Sequence, residues 1–169
     1  MAAALLLHRD GHRVTVFERF EAAAPIGSGL MLQPTGLAVL RALGLDGQAI
    51  VSGARIDRLF GQAGPAGRTV LDVRYSALGR AGLFGVGIHR AALFDILHGA
   101  LTQVGIEVMT GHEAVGSEPH GGGRRSLSFA GGRRAGPFDL VIDALGTRTP
   151  LAPPRPSGFV GRMSGSIKS

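Results

Sequence analysis

The 169-residue chain contains no cysteine. Disulfides, thiol nucleophiles and cysteine-ligated metal sites are therefore excluded. Tryptophan is also absent, tyrosine occurs once and Lys168 is the only lysine. Aromatic residues make up 5% of the chain, which leaves little to stack against nucleic-acid bases. No apolar run approaches the roughly 20 residues of a membrane-spanning helix. The apolar stretch Ala2–Leu7 is short, has no basic segment before it and no small-residue cleavage site after it, so no signal peptide is expected. A cysteine-free chain of this kind fits a reducing cytoplasm, the location expected here.

What is present points to a globular protein. Hydrophobic residues make up 44% of the chain and the mean hydropathy is +0.22. The length suffices for a domain with its own core. The formal charge is +6 and the isoelectric point near 11.3, almost wholly from arginine. Apart from Arg124-Arg125 and Arg133-Arg134 these arginines are scattered singly, so no nucleic-acid partner is expected. No histidine pair joins a carboxylate at zinc-ligand spacing, and no metal site is expected. Ser28, Ser52 and Ser76 lack the strained turn of a hydrolase nucleophile, and no catalytic residue is assigned.

Periodicity and breakers give the order of elements. Ala2–Asp10 predicts a helix of small and leucine residues stopped by Gly11. Val14, Val16 and Phe17 predict a strand buried on both faces. Glu21–Gly29, with Pro25, Gly27 and Gly29, predicts a loop. Pro34–Gly44 predicts a helix with proline in its first turn and glycine at its stop. Arg55–Phe60 and Arg68–Tyr75 predict strands flanking a turn at Gly61–Gly67, and Phe84–Ile88 a short extended piece. His89–Val104 carries Leu93, Leu97, Ala100, Leu101 and Val104 on one helical face, and Gly105 should end it. Ile106–Met109 alternates as a strand. Glu113–Ser117 and Ser126–Ala130 suggest a meander around a polar turn at His120–Gly123. Phe138–Ile142 predicts a final buried strand. Leu151–Ser169, rich in Pro, Gly and Ser, predicts a disordered or non-native tail. Helices and strands alternate first and strands then run together. The expected fold class is α/β, a partial Rossmann-like βαβ core with an inserted β region, spanning residues 1–150.

Four places could carry chemistry. Glu18 ends the Val14–Phe17 strand, where an ionised carboxylate can accept both hydroxyls of an adenosine ribose; otherwise it is a surface residue at a strand end. In such βαβ units a glycine-rich turn lies about 20 residues before this carboxylate, and only seventeen residues precede Glu18. Arg19 beside it could reach a phosphate or lie over adenine, or be a solvated charge. Gly27-Ser28-Gly29 lets a flat ligand approach the backbone, or is an ordinary loop. Arg90 opens the long helix, where a cation is slightly unfavourable for the helix dipole. A pyrophosphate or polyol ligand would give it a purpose there. Finally, Asp139–Thr149 could bring backbone amides to a phosphate or a ring edge, or be a plain strand exit.

In order along the chain, these segments resemble the FAD-dependent aromatic hydroxylases, the class A flavoprotein monooxygenases that include salicylate- and hydroxybenzoate-hydroxylase-like enzymes. The resemblance rests on Ala2–Leu7 with Gly11–Arg19, on Gly27–Pro34, on Gly87–Leu93 and on Asp139–Thr149. It implies that Glu18 binds the adenosine ribose of FAD with Arg19 alongside. Ser28 and Gly29 would lie near the isoalloxazine, and Arg90 at the ribityl-phosphate region. NAD(P)H would serve as co-substrate and a small aromatic molecule as substrate. Two departures stand out. The family's glycine loop has no counterpart, and Leu145 stands where the family places an Asp before Gly146. The chain is thus expected to be a fragment truncated at both ends, impaired as an enzyme and binding FAD weakly or not at all. The alternative is a non-catalytic nucleotide-binding module that uses Glu18 and Arg90.

Overall fold

The computed structural model describes residues 1–22, 28–65, 67–79, 81–146 and 149–151. The predicted tail beyond Leu151, residues 23–27 of the predicted Glu21–Gly29 loop and Thr147-Arg148 lie outside the described residues. The chain divides into two compact units, Met1–Gly111 and His112–Ser169.

The first unit begins with α1 (Ala2–Arg9), whose Ala4 and Leu5 are buried. Its C-terminus closes where the His12 amide donates to the Leu7 carbonyl at 3.0 Å. Gly11 takes the left-handed φ of +89° that this closure needs. β1 (Val16–Phe17) follows and pairs in parallel with β7 (Val108–Met109). The predicted strand at Val14–Phe17 is thus shorter than expected, and its residues are half-buried rather than buried on both faces. Among the described residues β1 has a neighbour along one edge only, and a strand is buried on both faces only where other elements cover both faces of its sheet.

β2 (Gly29–Leu32), β6 (Gly85–His89) and β3 (Gly53–Ile56) form an antiparallel sheet with β6 in the centre. Val86 and Ile88 of β6 are buried, as are Leu37 and Leu40 of α2 (Pro34–Ala42), Ala49 of α3 (Asp46–Val51) and Leu101 of α4 (Arg90–Gln103). These side chains and their neighbours in α1 make one core. Fully burying a leucine or valine side chain contributes about 1.5–3 kcal/mol, so this cluster dominates the unit. α4 bears out the helix read at His89–Val104, and Gly105, at a φ of +73°, ends it. Its stripe is graded: Leu101 is fully buried, Leu93, Leu97 and Ala100 are half-buried and Val104 is exposed.

The sequence pattern at Arg55–Phe60 conceals a change of sheet. Residues up to Ile56 pair with β6, whereas β4 (Arg58–Ala63) turns away at Asp57 and forms a hairpin with β5 (Arg68–Arg74). The hairpin turn is accordingly shorter than Gly61–Gly67. α3 was not anticipated: six residues are too few to show a helical period.

The second unit is a three-stranded antiparallel meander of β8 (Ala114–Pro119), β9 (Arg125–Phe129) and β10 (Arg134–Phe138). The first two strands lie where the sequence indicated. Leu127 and Phe129 are its buried residues, and His112 meets Phe129 edge-on, with ring centroids 5.1 Å apart. The predicted buried strand at Phe138–Ile142 is not formed. Strand structure stops at Phe138, and Leu140 and Ile142 are 64% and 54% exposed. A strand needs a ladder partner for its amides and carbonyls, and residues 139–145 have none among the described residues. Instead Asp143 folds the segment onto itself: its carboxylate accepts from the Leu145 amide and from the Thr149 hydroxyl.

Candidate functional site: the β2–β6 edge and the end of β1

Strand register decides which predicted site residues meet. In the β2–β6 ladder Gly29 lies directly opposite His89. Ser28, one residue before β2, and Arg90, one residue after β6, therefore flank the same end of the sheet. Two segments about sixty positions apart in sequence are brought together, as a shared ligand would require. Arg90 is the first residue of α4, is exposed, and makes no hydrogen bond or ion pair among the described residues. Ser28 is likewise exposed.

Gly29 itself is informative. Its φ is not left-handed, and a Cβ added there would meet only the Ile88 carbonyl oxygen at 3.5 Å, an ordinary contact. Neither backbone conformation nor packing among the described residues demands glycine at this position. Gly53 is the opposite case. A Cβ there would come within 2.4 Å of Val86 Cγ1 and 2.8 Å of the Gly87 carbonyl, so the approach of β3 to β6 explains that glycine.

Glu18 and Arg19 form a second locus, at the C-terminal end of β1. The Glu18 amide donates to the Met109 carbonyl at 2.9 Å and the Gly111 amide to the Phe20 carbonyl at 2.9 Å, so the pairing with the β7 segment continues past the strand itself. Glu18 is half-buried, and its Oε1 accepts from the Phe20 amide at 3.1 Å. That bond fixes the carboxylate while the second oxygen keeps its acceptor capacity. Arg19 is exposed and lays its guanidinium over the Phe20 ring, 4.6 Å from the centroid. No hydrogen bond or ion pair among the described residues links this locus to Arg90. Among the described residues no group of His, Asp and Glu side chains could hold a metal ion, and no helix is long and apolar enough to cross a membrane.

The chain is 31% identical over 153 residues to the 3-amino-4-hydroxybenzoate 2-monooxygenase of Streptomyces cremeus, a match that takes in 88% of the chain and 37% of that protein. It is 33% identical over 122 residues to the 3-hydroxybenzoate 6-hydroxylase 1 of Aquipseudomonas alcaligenes, covering 70% of the chain and 31% of that protein. By sequence the chain is a homologue of these two aromatic hydroxylases over about a third of their length. No family model matches it. Among solved structures, 2-methyl-3-hydroxypyridine-5-carboxylic acid oxygenase shares the fold of this hydroxylase homologue with a TM-score of 0.65 at 22% identity, over 79% of the chain and 33% of the oxygenase. The Klebsiella pneumoniae protein HpxO, solved with FAD and uric acid, gives a TM-score of 0.61 at 19% identity, over 79% of the chain and 33% of its own. The hydroxylase homologue spans about a third of the length of the curated relatives it matches. The α/β class read from the sequence is borne out by these likenesses.

Three features of the hydroxylase homologue were not legible beforehand. Tyr75, 2% exposed, donates from its hydroxyl to Gln33 Oε1 at 2.6 Å, which ties the hairpin exit to the start of α2. His89 caps α4: its Nδ1 accepts from the Ala91 amide at 3.3 Å. Asp143, in the segment resembling the family's second fingerprint, is engaged by Leu145 and Thr149. Only His89 had a sequence signal that could have found it, its place directly before a helical period.

Proposed function

We propose that residues 1–150 are the FAD-binding portion of an aromatic hydroxylase that acts on a small aromatic substrate in the cytoplasm, with no nucleic-acid partner. The observation that carries this reading is the register that sets Ser28 and Gly29 against His89 and Arg90. The residues fit the cofactor chemically. Arg90, without an ion pair among the described residues, is a cation for a phosphate oxygen, and a guanidinium pairs well with such oxygens. Gly29 carries no side chain, and no packing among the described residues requires glycine there. Glu18 is a pure acceptor held by a backbone bond, as recognition of a ribose hydroxyl needs. Arg19 adds a second cation beside it. When bound, the flavin would supply the redox chemistry, taking reducing equivalents from NAD(P)H and passing them to dioxygen for ring hydroxylation. The chain's own side chains bind and orient the cofactor at two loci.

Titration of the protein into FAD, followed by flavin fluorescence, tests the reading. Saturable quenching is expected, weak because these side chains are the only contacts proposed. Arg90→Ala should weaken it about tenfold or more, the usual loss for one charge-assisted hydrogen bond. Glu18→Ala should weaken FAD and AMP alike, whereas Arg90→Ala should affect FAD more than AMP. Absence of quenching up to millimolar protein would remove the FAD reading. Equal sensitivity of AMP and FAD to both substitutions would favour the plain nucleotide-binding module.

A further inference from the structure

The FAD reading leaves His89 without a role, yet it closes the β2–β6 ladder directly opposite Gly29. Directly opposed residues of an antiparallel pair project from the same face of the sheet. Gly29 has no side chain, so the imidazole of His89 meets no side chain from its directly opposed position, with Arg90 next in sequence. His89 is exposed. Its Nδ1 accepts the Ala91 amide of the first turn of α4, so in the neutral ring the proton sits on Nε2, on the far side from the helix. The cap therefore fixes which ring nitrogen is the donor. Ser, Thr, Asp and Asn are the residues preferred at this capping position. None of the first three could cap the helix and also present a donor at such reach.

We propose that His89 is a further FAD-binding residue: it caps α4 through Nδ1 and donates from Nε2–H to an acceptor oxygen of the cofactor beside Arg90. This rests on the FAD reading above and adds a donor to it. The cap has a second effect, since it orders the turn that begins with Arg90 and so makes His89 a positioning residue for that guanidinium.

Four substitutions separate the two roles. His89→Asn keeps a capping oxygen and an N–H donor. His89→Asp keeps the cap without a donor, His89→Ser keeps the cap with only a short hydroxyl that falls short of the Nε2 position, and His89→Ala removes both. The readouts are FAD affinity by fluorescence titration and hydrogen exchange of the Ala91–Phe94 amides. Exchange protection should be retained in Asn, Ser and Asp and lost in Ala. Affinity should stay within about threefold of wild type in Asn and fall about tenfold in Ser, in keeping with one lost hydrogen bond. It should fall further in Ala and Asp, the latter because it places a negative charge beside a phosphate-bearing ligand. Wild-type affinity in the Ser variant would overturn the donor role. Unchanged exchange in the Ala variant would overturn the cap. If wild-type protein binds no FAD at all, the parent reading fails and the donor role with it, while the exchange measurements still decide the cap.

Discussion

Two antiparallel sheets within the first unit share a hydrogen-bonding pattern and differ in nearly everything else. In the β2–β6–β3 sheet, Val86 and Ile88 are buried beneath α2, α3 and α4. In the β4–β5 hairpin every residue of β5 is exposed, and Phe60, Val70 and Leu71 are 50%, 54% and 44% accessible. The hairpin is held by its ladder and by a paired Arg58–Asp72, in which Arg58 Nε lies 2.6 Å from Asp72 Oδ1. The contrast shows that the ladder alone does not make a rigid platform; helices packed on one face do. The candidate site lies at the edge of the helix-backed sheet, so its residues inherit a fixed register. An isolated two-stranded hairpin is at best marginally stable in water.

The largest test of this contrast is Leu101→Ala. Emptying the space of this fully buried side chain should cost about 2–5 kcal/mol and lower the urea midpoint sharply. Val73→Ala in the hairpin should change stability by no more than about 0.5 kcal/mol. Similar effects of the two substitutions would break the distinction. Next comes Gly53→Val, which should cost about 1–3 kcal/mol through overpacking against Val86 and the Gly87 carbonyl, whereas Gly29→Ala should leave stability nearly unchanged and weaken FAD binding. Tyr75→Phe removes the bond to Gln33 and should cost about 0.5–1.5 kcal/mol by thermal melting.

The smallest effect is expected at Asp72. The hydrogen bond from Arg58 holds its carboxyl below the ordinary range, with the charges of Arg58 and Arg74 acting in the same direction. A carboxylate whose folded pKa lies below its unfolded value stabilises the fold above the unfolded value, near about 3.9. That contribution fades as pH falls through the lower folded value. Asp72→Asn should therefore be slightly less stable than wild type at neutral pH, and the two should converge in strong acid. A gap that widened on acidification would contradict the sign.

Local signals were legible where one residue type has one physical job. Gly11 and Gly105 marked helix ends because a left-handed φ favours glycine, and the spacing of Leu93, Leu97 and Leu101 marked α4. Sheet membership was not legible. Nothing in Arg55–Phe60 announces that residues before Asp57 and after it pair with different strands, because pairing is decided by distant partners. Leu140, Val141 and Ile142 looked like a buried strand because composition registers hydrophobicity and cannot register the absence of a partner. In the candidate site, Glu18, Arg19 and Arg90 were named from their places at element ends, and Ser28 and Gly29 from a glycine-flanked loop and the family resemblance. That Gly29 comes opposite His89, and so brings Ser28 and Arg90 to one end of the sheet, required the register of β2 against β6.

The most direct test of the account is to map amide chemical shifts of the isotope-labelled protein as FAD is added. Shifts should concentrate at residues 28–30, 89–91 and 18–20 and leave the hairpin amides of residues 58–74 unmoved. Shifts centred on the hairpin, or none at saturating FAD, would contradict the assignment of the cofactor to the helix-backed sheet edge.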